Sequence, residues 1–288
     1  MAYTHLVTVQ QLQALAAADV PHQVFDCSFD LMQPDAAHTM FADKHIPGAM
    51  PADLDAHLSA HDGADAQSGG RHPLPSRERL RDWLRGVGLR QGMQVVVYDR
   101  NGNNFCGRLW WLLKWAGHDA VAILDGGLPA WERAGAPLEA GVSASDRQAG
   151  DFELGAPLVG LVSGDEMFAL HAQPGQGVID SRAGPRFRGE VEPLDPVAGH
   201  IPGAINRPFT DNLDADGRFK PAPQLRAEFD ALLGDRAPDR LIVYCGSGVS
   251  AVPNLVALEL AGYRGARLYA GSWSEWSRTP GRPVATGA

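Results

Sequence analysis

Long apolar runs are missing from this sequence. No stretch approaches the roughly 20 residues that a membrane-spanning helix needs, so no membrane association is expected. Cysteine is scarce too. Cys27, Cys106 and Cys245 are too few and too far apart for a disulfide framework or a zinc knuckle, so neither a metal nor another bound cofactor is expected. Positive charge is also in short supply. With 25 Lys and Arg against 34 Asp and Glu, the formal net charge is -9, which argues against a nucleic-acid partner. A small anionic substrate stays compatible, because a few arginines can reverse the field inside one pocket. Met1 to Leu6 show no basic stretch followed by an apolar core, so no secretory signal is expected. A reduced, cytoplasmic setting follows as the expectation.

What the sequence does have is a globular composition and a duplication. At 288 residues and 44% hydrophobic, the chain has room for one large domain or two ordinary ones. His45-Ile46-Pro47-Gly48-Ala49 recurs as His200-Ile201-Pro202-Gly203-Ala204. An apolar run ending in aspartate precedes each copy, Val24-Phe25-Asp26 and Val178-Ile179-Asp180. A second apolar run follows each, Val95-Val96-Val97-Tyr98-Asp99 and Leu241-Ile242-Val243-Tyr244-Cys245. Landmarks repeated in one order at so long a period indicate two whole domains rather than solenoid units. Between them, Glu139 to Val159 is rich in Gly, Ala, Ser and Pro. The expected division is a domain at 1–142, a linker at 143–159 and a second domain at 160–288. Helix-start chemistry at Pro75-Ser76 and Ala222-Pro223 alternates with the short apolar runs. That alternation predicts two α/β domains, each a mainly parallel sheet flanked by helices on both faces.

In an open parallel sheet, ligands sit beyond the C-terminal ends of the strands. Cys245 ends its strand and is followed by Gly246-Ser247-Gly248-Val249-Ser250 and a helix from about Ala251. Glycines let the backbone fold round the sulfur with its N–H groups pointing inward, and the helix N-terminus adds a positive end. This surrounding favours an anionic sulfur and would also hold a persulfide, which is one sulfur longer. Cys27 and Cys106 lack such a setting and are expected in the core. A phosphatase loop would need an arginine where Ala251 stands, which excludes that chemistry.

The repeated His-Ile-Pro-Gly-Ala, Asp180-Ser181-Arg182 with Arg186-Phe187-Arg188-Gly189, the loop from Cys245 to Ser250 and Gly271-Ser272-Trp273-Ser274-Glu275-Trp276 together resemble the rhodanese superfamily in its tandem form. The resemblance covers nearly the whole chain. It implies an enzyme whose C-terminal domain carries sulfane sulfur on cysteine and whose N-terminal domain has lost that residue. Asp99 stands where Cys245 stands in the second copy. The neutral Cys-Gly-Ser-Gly-Val-Ser loop resembles the branch that takes sulfur from 3-mercaptopyruvate, whereas the thiosulfate branch resembles a loop bearing two cations.

By that resemblance, Gly246, Gly248, Val249 and Ser250 form the sulfur-binding loop with Cys245. Ser247 works with His72 and Asp55 as a proton relay, and Arg186 binds the donor's acid group. The second arginine of that branch, after a Glu-Pro pair, is absent here, because Glu192-Pro193 is followed by Leu194. Arg182 or Arg188 is expected to compensate. The donor is thus a small anion, and the acceptor a thiol, a thioredoxin-like protein among the candidates, or cyanide. Two alternatives stand beside this reading: a thiosulfate:cyanide sulfurtransferase, and a relay module that receives persulfide from a partner without turning over small donors.

Overall fold

In the computed structural model, residues 2–60, 63–141 and 148–288 are described; 143–147, the start of the expected linker, lie outside them. The chain forms two compact units. The N-terminal unit comprises Met1–Asp65, Pro75–Leu158 and Ala215–Arg218, and the C-terminal unit Ala66–Leu74, Val159–Asp214 and Phe219–Ala288. The division expected at 1–142 and 160–288 is therefore corrected at two places. Residues 66–74 group with the C-terminal unit, because Gly69 and Gly70 let the backbone lie directly against Gly271–Glu275. A Cβ on Gly70 would fall 2.5 Å from the Gly271 carbonyl oxygen. Residues 215–218 group with the N-terminal unit, where Asn103 Nδ2 donates to the Gly217 carbonyl (3.0 Å) and Arg133 Nη2 to that of Asp216 (2.8 Å).

Each unit is built on one five-stranded sheet. The first holds β1 (Leu6–Val7), β2 (His22–Asp26), β3 (Met50–Pro51), β4 (Gln94–Tyr98) and β5 (Val121–Leu124). The second holds β6 (Gly160–Val162), β7 (Gly177–Asp180), β8 (Ile205–Asn206), β9 (Leu241–Tyr244) and β10 (Arg267–Tyr269). Strand order is β1-β5-β4-β2-β3 in one and β6-β10-β9-β7-β8 in the other, the same arrangement twice. Every pairing is parallel, with Val24 opposite Val96 in the first sheet and Val178 opposite Ile242 in the second. All residues of β4, β5, β7 and β9 are buried. Successive side chains in a strand point to opposite faces, so burial along the whole strand means that both faces are covered by the flanking helices. Among the described residues no helix is long and apolar enough to cross a membrane.

The helix signals were legible in part. Ser76 caps Arg77–Gly86, its Oγ accepting the Arg79 N–H (3.2 Å), and Ala222–Leu233 opens on proline at its first turn. The repeated His-Ile-Pro-Gly turn has a structural task in both units. His45 stacks on Phe41 and His200 on Phe187, and each Nδ1 lies 2.8 Å from that phenylalanine's carbonyl oxygen. The next N–H, of Ile46 or Ile201, donates to the hydroxyl of Tyr98 (3.0 Å) or Tyr244 (3.1 Å). Each tyrosine is the last residue of its central strand. The turn therefore ties the buried strand end in place immediately before Asp99 or Cys245.

Candidate active site

Cys245 follows β9 and is 2% exposed. Its main chain is held on both sides. The Cys245 N–H donates to Ser272 Oγ (3.1 Å), and the Ser272 hydroxyl donates to the Tyr269 carbonyl (2.9 Å). The carbonyls of Cys245 and Gly246 accept from the N–H groups of Trp273 (3.0 Å) and Ser274 (2.9 Å), in the first turn of the helix Ser272–Trp276. Ser272 carries a positive φ of 55°, a conformation that costs an L-residue energy and persists only where its surroundings enforce it. Beyond the cysteine the chain turns sharply at Gly248, at φ 75°. A Cβ there would meet the Ala270 carbonyl oxygen at 2.3 Å, so no other residue fits without moving β10's end. Val249 is buried, and its carbonyl accepts from Val252 at the head of the helix Val252–Leu260. Ser250 closes the loop, half-buried.

Two neighbouring segments of the same unit complete the site. From 66–74 comes His72, buried, with Nδ1 2.8 Å from the buried Ser247 Oγ, a hydrogen bond two residues after the cysteine. Arg71 comes with it, its N–H donating to Ser274 Oγ (3.0 Å). From the segment after β7 comes Arg186. A Cβ on Gly246 would lie 3.3 Å from Arg71 Nη2 and 3.5 Å from Arg186 Nη1, so two guanidinium groups face the residue beside Cys245. Acids hold both in place. Glu192 takes the Nε and Nη2 edge of Arg186 (3.2 and 2.6 Å). Asp195, whose side chain is fully buried, accepts from Arg71 Nη1 (3.1 Å) and Arg278 Nη1 (2.8 Å) on one oxygen. Its other oxygen lies 3.5 Å from Arg186 Nη2.

The two arginines expected to compensate at Leu194 are both engaged by other groups. Arg182 is corrected to a structural role. It is 4% exposed and its nitrogens are engaged by Asp180, by Glu192 and by the Gly199 carbonyl, while its guanidinium stacks on Trp273. Burial disfavours its charge, yet the Asp180 carboxylate beside it holds the Arg182 pKa above the usual arginine value. No donor can reach a fork so fully used. Arg188 points to solvent and pairs with Glu190. Asp55 belongs to the N-terminal unit, where its N–H donates to Asp53 Oδ1 (2.9 Å). The sequence reading missed Arg71, Ser272 and Asp195. One signal for Arg71 was available: it lies between the Gly69-Gly70 pair and His72.

The first copy of the loop shows what such a turn does to an anion. Asp99 follows β4, is fully buried, and its two carboxylate oxygens accept four backbone N–H bonds. Asn101 and Asn103 donate to Oδ1 (2.8 and 2.9 Å), Phe105 and Cys106 to Oδ2 (2.8 and 2.9 Å). Burial raises the Asp99 pKa, and these N–H groups act against the rise. The turn after the central strand is thus an anion cradle by geometry. Burial, then Asp26 and Asp99, pushes the Cys27 thiol far up; burial, then Asp99, does the same to Cys106. Both therefore stay protonated core residues. Among the described residues no group of three or more His, Cys, Asp or Glu side chains is placed to hold a metal ion.

The rhodanese-like domain family matches this sequence twice, over residues 8–134 and 165–279. The chain is 50% identical over 291 residues, with 100% of both chains covered, to a Pseudomonas aeruginosa protein named "probable 3-mercaptopyruvate sulfurtransferase". It is 42% identical over 291 residues to SseB of Mycobacterium tuberculosis, which carries a provisional thiosulfate sulfurtransferase name, covering 98% of this chain and 97% of that one. Among solved structures, SseA from Escherichia coli, described as a 3-mercaptopyruvate sulfotransferase, superposes with a TM-score of 0.79 at 32% identity. The match covers 95% of this chain and 100% of SseA.

Proposed function

We propose that this chain, which belongs to the rhodanese-like domain family, takes sulfane sulfur from 3-mercaptopyruvate onto Cys245 and passes it to a thiol or cyanide. The observation that carries the donor assignment is the buried hydrogen bond between His72 and Ser247. A mercaptopyruvate donor needs a group that moves a proton; thiosulfate, which has no thiol hydrogen, does not.

The step balances without an added reductant. The Cys245 thiolate attacks the donor sulfur, an S–S bond forms and the donor's C–S bond breaks. The electron pair of that bond becomes the pyruvate enolate, which receives the proton released by the donor thiol. Cys245 persulfide and pyruvate result, with charge and hydrogen conserved. Ser247 and His72 take up the thiol proton and return it to the enolate carbon. Gly246, Gly248, Val249 and Ser250 hold the anionic persulfide in the turn, and Arg186 takes the donor carboxylate. Asp55 is kept as the third member of the relay on its sequence position alone. An acceptor thiol, such as that of a thioredoxin-like protein, or cyanide then attacks the outer sulfur and restores Cys245. The cytoplasm, where thiols stay reduced, is the compartment that suits this cycle.

A second reading, thiosulfate as donor, is favoured by the guanidinium pair beside Gly246, which suits a dianion. Steady-state turnover to cyanide with each donor decides between them. The expected result is a higher kcat/KM for 3-mercaptopyruvate; a higher value for thiosulfate would sink the first reading. A His72→Gln variant sharpens the comparison. It is expected to lose roughly 10²-fold in kcat/KM with mercaptopyruvate and less than about 3-fold with thiosulfate.

A further inference from the structure

We infer that the cavity beside Arg278 and Glu275 is an acceptor subsite, built for a small thiol that carries both an ammonium and a carboxylate group, as free cysteine does. The inference rests on the persulfide reading of Cys245 and deepens it by naming the class of acceptor. The cavity holds about 420 Å³ and is lined by Gly70, Arg71, Ser274, Glu275, Arg278 and Thr279. Small-molecule sites span roughly 300–1,000 Å³. It shares a wall with the catalytic loop. Ser274 donates its N–H to the Gly246 carbonyl (2.9 Å), and Arg71 Nη2 lies 3.3 Å from where a Cβ on Gly246 would stand.

Two opposite charges on this wall are left unmet. Arg278 and Glu275 stand three residues apart, a spacing that lets such residues pair on a helix, yet they are drawn in different directions. Asp195 Oδ1 and the Ser274 carbonyl both accept from Arg278 Nη1 (2.8 Å each). Its Nε and Nη2 edge makes no hydrogen bond among the described residues, and the side chain is 48% exposed. That edge is the one that takes a carboxylate in two parallel bonds. The Glu275 carboxylate is seated instead against Gly69, Gly164 and Gly271, where the missing Cβ atoms make room for it. The cations near it are committed elsewhere, Arg282 to Asp165 (2.7 Å) and Arg278 to Asp195. Burial, then this carboxylate, holds the Tyr269 hydroxyl beside it in the protonated form. Thr279 adds a hydroxyl oxygen, its proton donated to the Glu275 carbonyl (2.8 Å). A guanidinium edge without a carboxylate and a carboxylate without a cation, on one cavity, are satisfied together by a zwitterion. The donor 3-mercaptopyruvate has a ketone in place of the ammonium group and leaves Glu275 unmet.

The step at this subsite balances. The acceptor sulfur attacks the outer sulfur of the Cys245 persulfide and a new S–S bond forms. The bond to Cys245 breaks, and its electron pair returns to Cys245 as thiolate. The thiol proton stays with the new persulfide, and no oxidant or reductant enters.

The test isolates this half-reaction. The whole chain is loaded with 3-mercaptopyruvate, freed of donor and then unloaded by an acceptor, while intact mass follows the loss of the added sulfur. The acceptors are L-cysteine, 3-mercaptopropionate (no ammonium), cysteamine (no carboxylate) and cyanide, to which each variant's rates are normalised. Arg278→Gln is expected to slow L-cysteine and 3-mercaptopropionate by about 10-fold or more, and cysteamine by less than about 3-fold. Glu275→Gln is expected to slow L-cysteine and cysteamine by about 10-fold or more, and 3-mercaptopropionate by less than about 3-fold. A merely structural role would slow all three thiols alike. That result overturns the inference, as does no loss in either variant. Arg278 is half-exposed, so its arm of the test stands even where Glu275→Gln impairs folding. If the unmodified chain gains no sulfur from mercaptopyruvate, the persulfide reading itself fails, and that is seen before any acceptor is added.

Discussion

A Cys245→Ala protein is expected to take up no sulfur and to lose turnover by on the order of 10⁴-fold or more, because nothing else in the site can replace the attacking atom. Incubated with donor and examined by intact mass, the parent chain should gain one sulfur and the variant none. The fold should survive. The bonds that fix this position run from the main chain, N–H to Ser272 Oγ and carbonyl from Trp273 N–H, and alanine keeps both. Removing one buried sulfur atom costs about 1 kcal/mol, a shift of a few degrees in Tm. Cys27 and Cys106 offer no substitute, being 1% and 0% exposed and kept protonated by burial and nearby carboxylates. Sulfur uptake by the alanine variant would place the nucleophile elsewhere. Uptake only in the presence of a second protein, in the unmodified chain, would favour a persulfide relay over small-donor turnover.

The same variant marks how far the sequence could be read. A run such as Val95-Val96-Val97 or Leu241-Ile242-Val243 is apolar on both faces, so a buried parallel strand is its natural setting, and the duplicated order placed Cys245 at a strand end. The loop, its glycines and the paired Asp99 were legible for the same reason. Arginines were not. Arg182 and Arg186 sit four residues apart on one segment and look equivalent in sequence. Asp180, Glu192 and the Gly199 carbonyl occupy the first, whereas Glu192 takes the Nε and Nη2 edge of the second and leaves its Nη1 beside Gly246. That difference depends on which acids the folded chain brings up, and spacing does not encode it. Arg71 was hidden by the same limit. It lies within the first half of the sequence, yet the 66–74 segment packs with the second sheet because two glycines permit close backbone approach. The gap read at Leu194 is likewise a matter of position: a guanidinium does lie 3.5 Å from the Leu194 carbonyl, and it belongs to Arg71.

Asp99→Ala should be among the costliest substitutions in the N-terminal unit, at about 3–5 kcal/mol, although Asp99 carries no sulfur. Four N–H groups converge on its carboxylate, two of them at the head of the helix Cys106–Trp115, where the helix itself offers them no partner. Alanine leaves all four donors buried, and each unpaired donor costs about 1–3 kcal/mol before water or main-chain movement relieves part of it. Asparagine keeps one oxygen for Asn101 and Asn103 but turns an amide NH₂ toward Phe105 and Cys106, donor against donor, so it should recover only part of the loss. Urea unfolding of the three proteins checks this. An Asp99→Ala cost below about 1 kcal/mol would mean that the turn holds its shape without a charge. The two copies of the turn then differ in one respect that matters for chemistry. In the first, the anion is part of the chain and fixed, so the cradle is permanently filled and serves stability. In the second, the side chain that ends the strand is a sulfur held by main-chain bonds to Ser272 and Trp273, with its turn facing two guanidiniums. A cradle that a tethered carboxylate stabilises in one unit is, in the other, a place where a transferable anion can be bound and released.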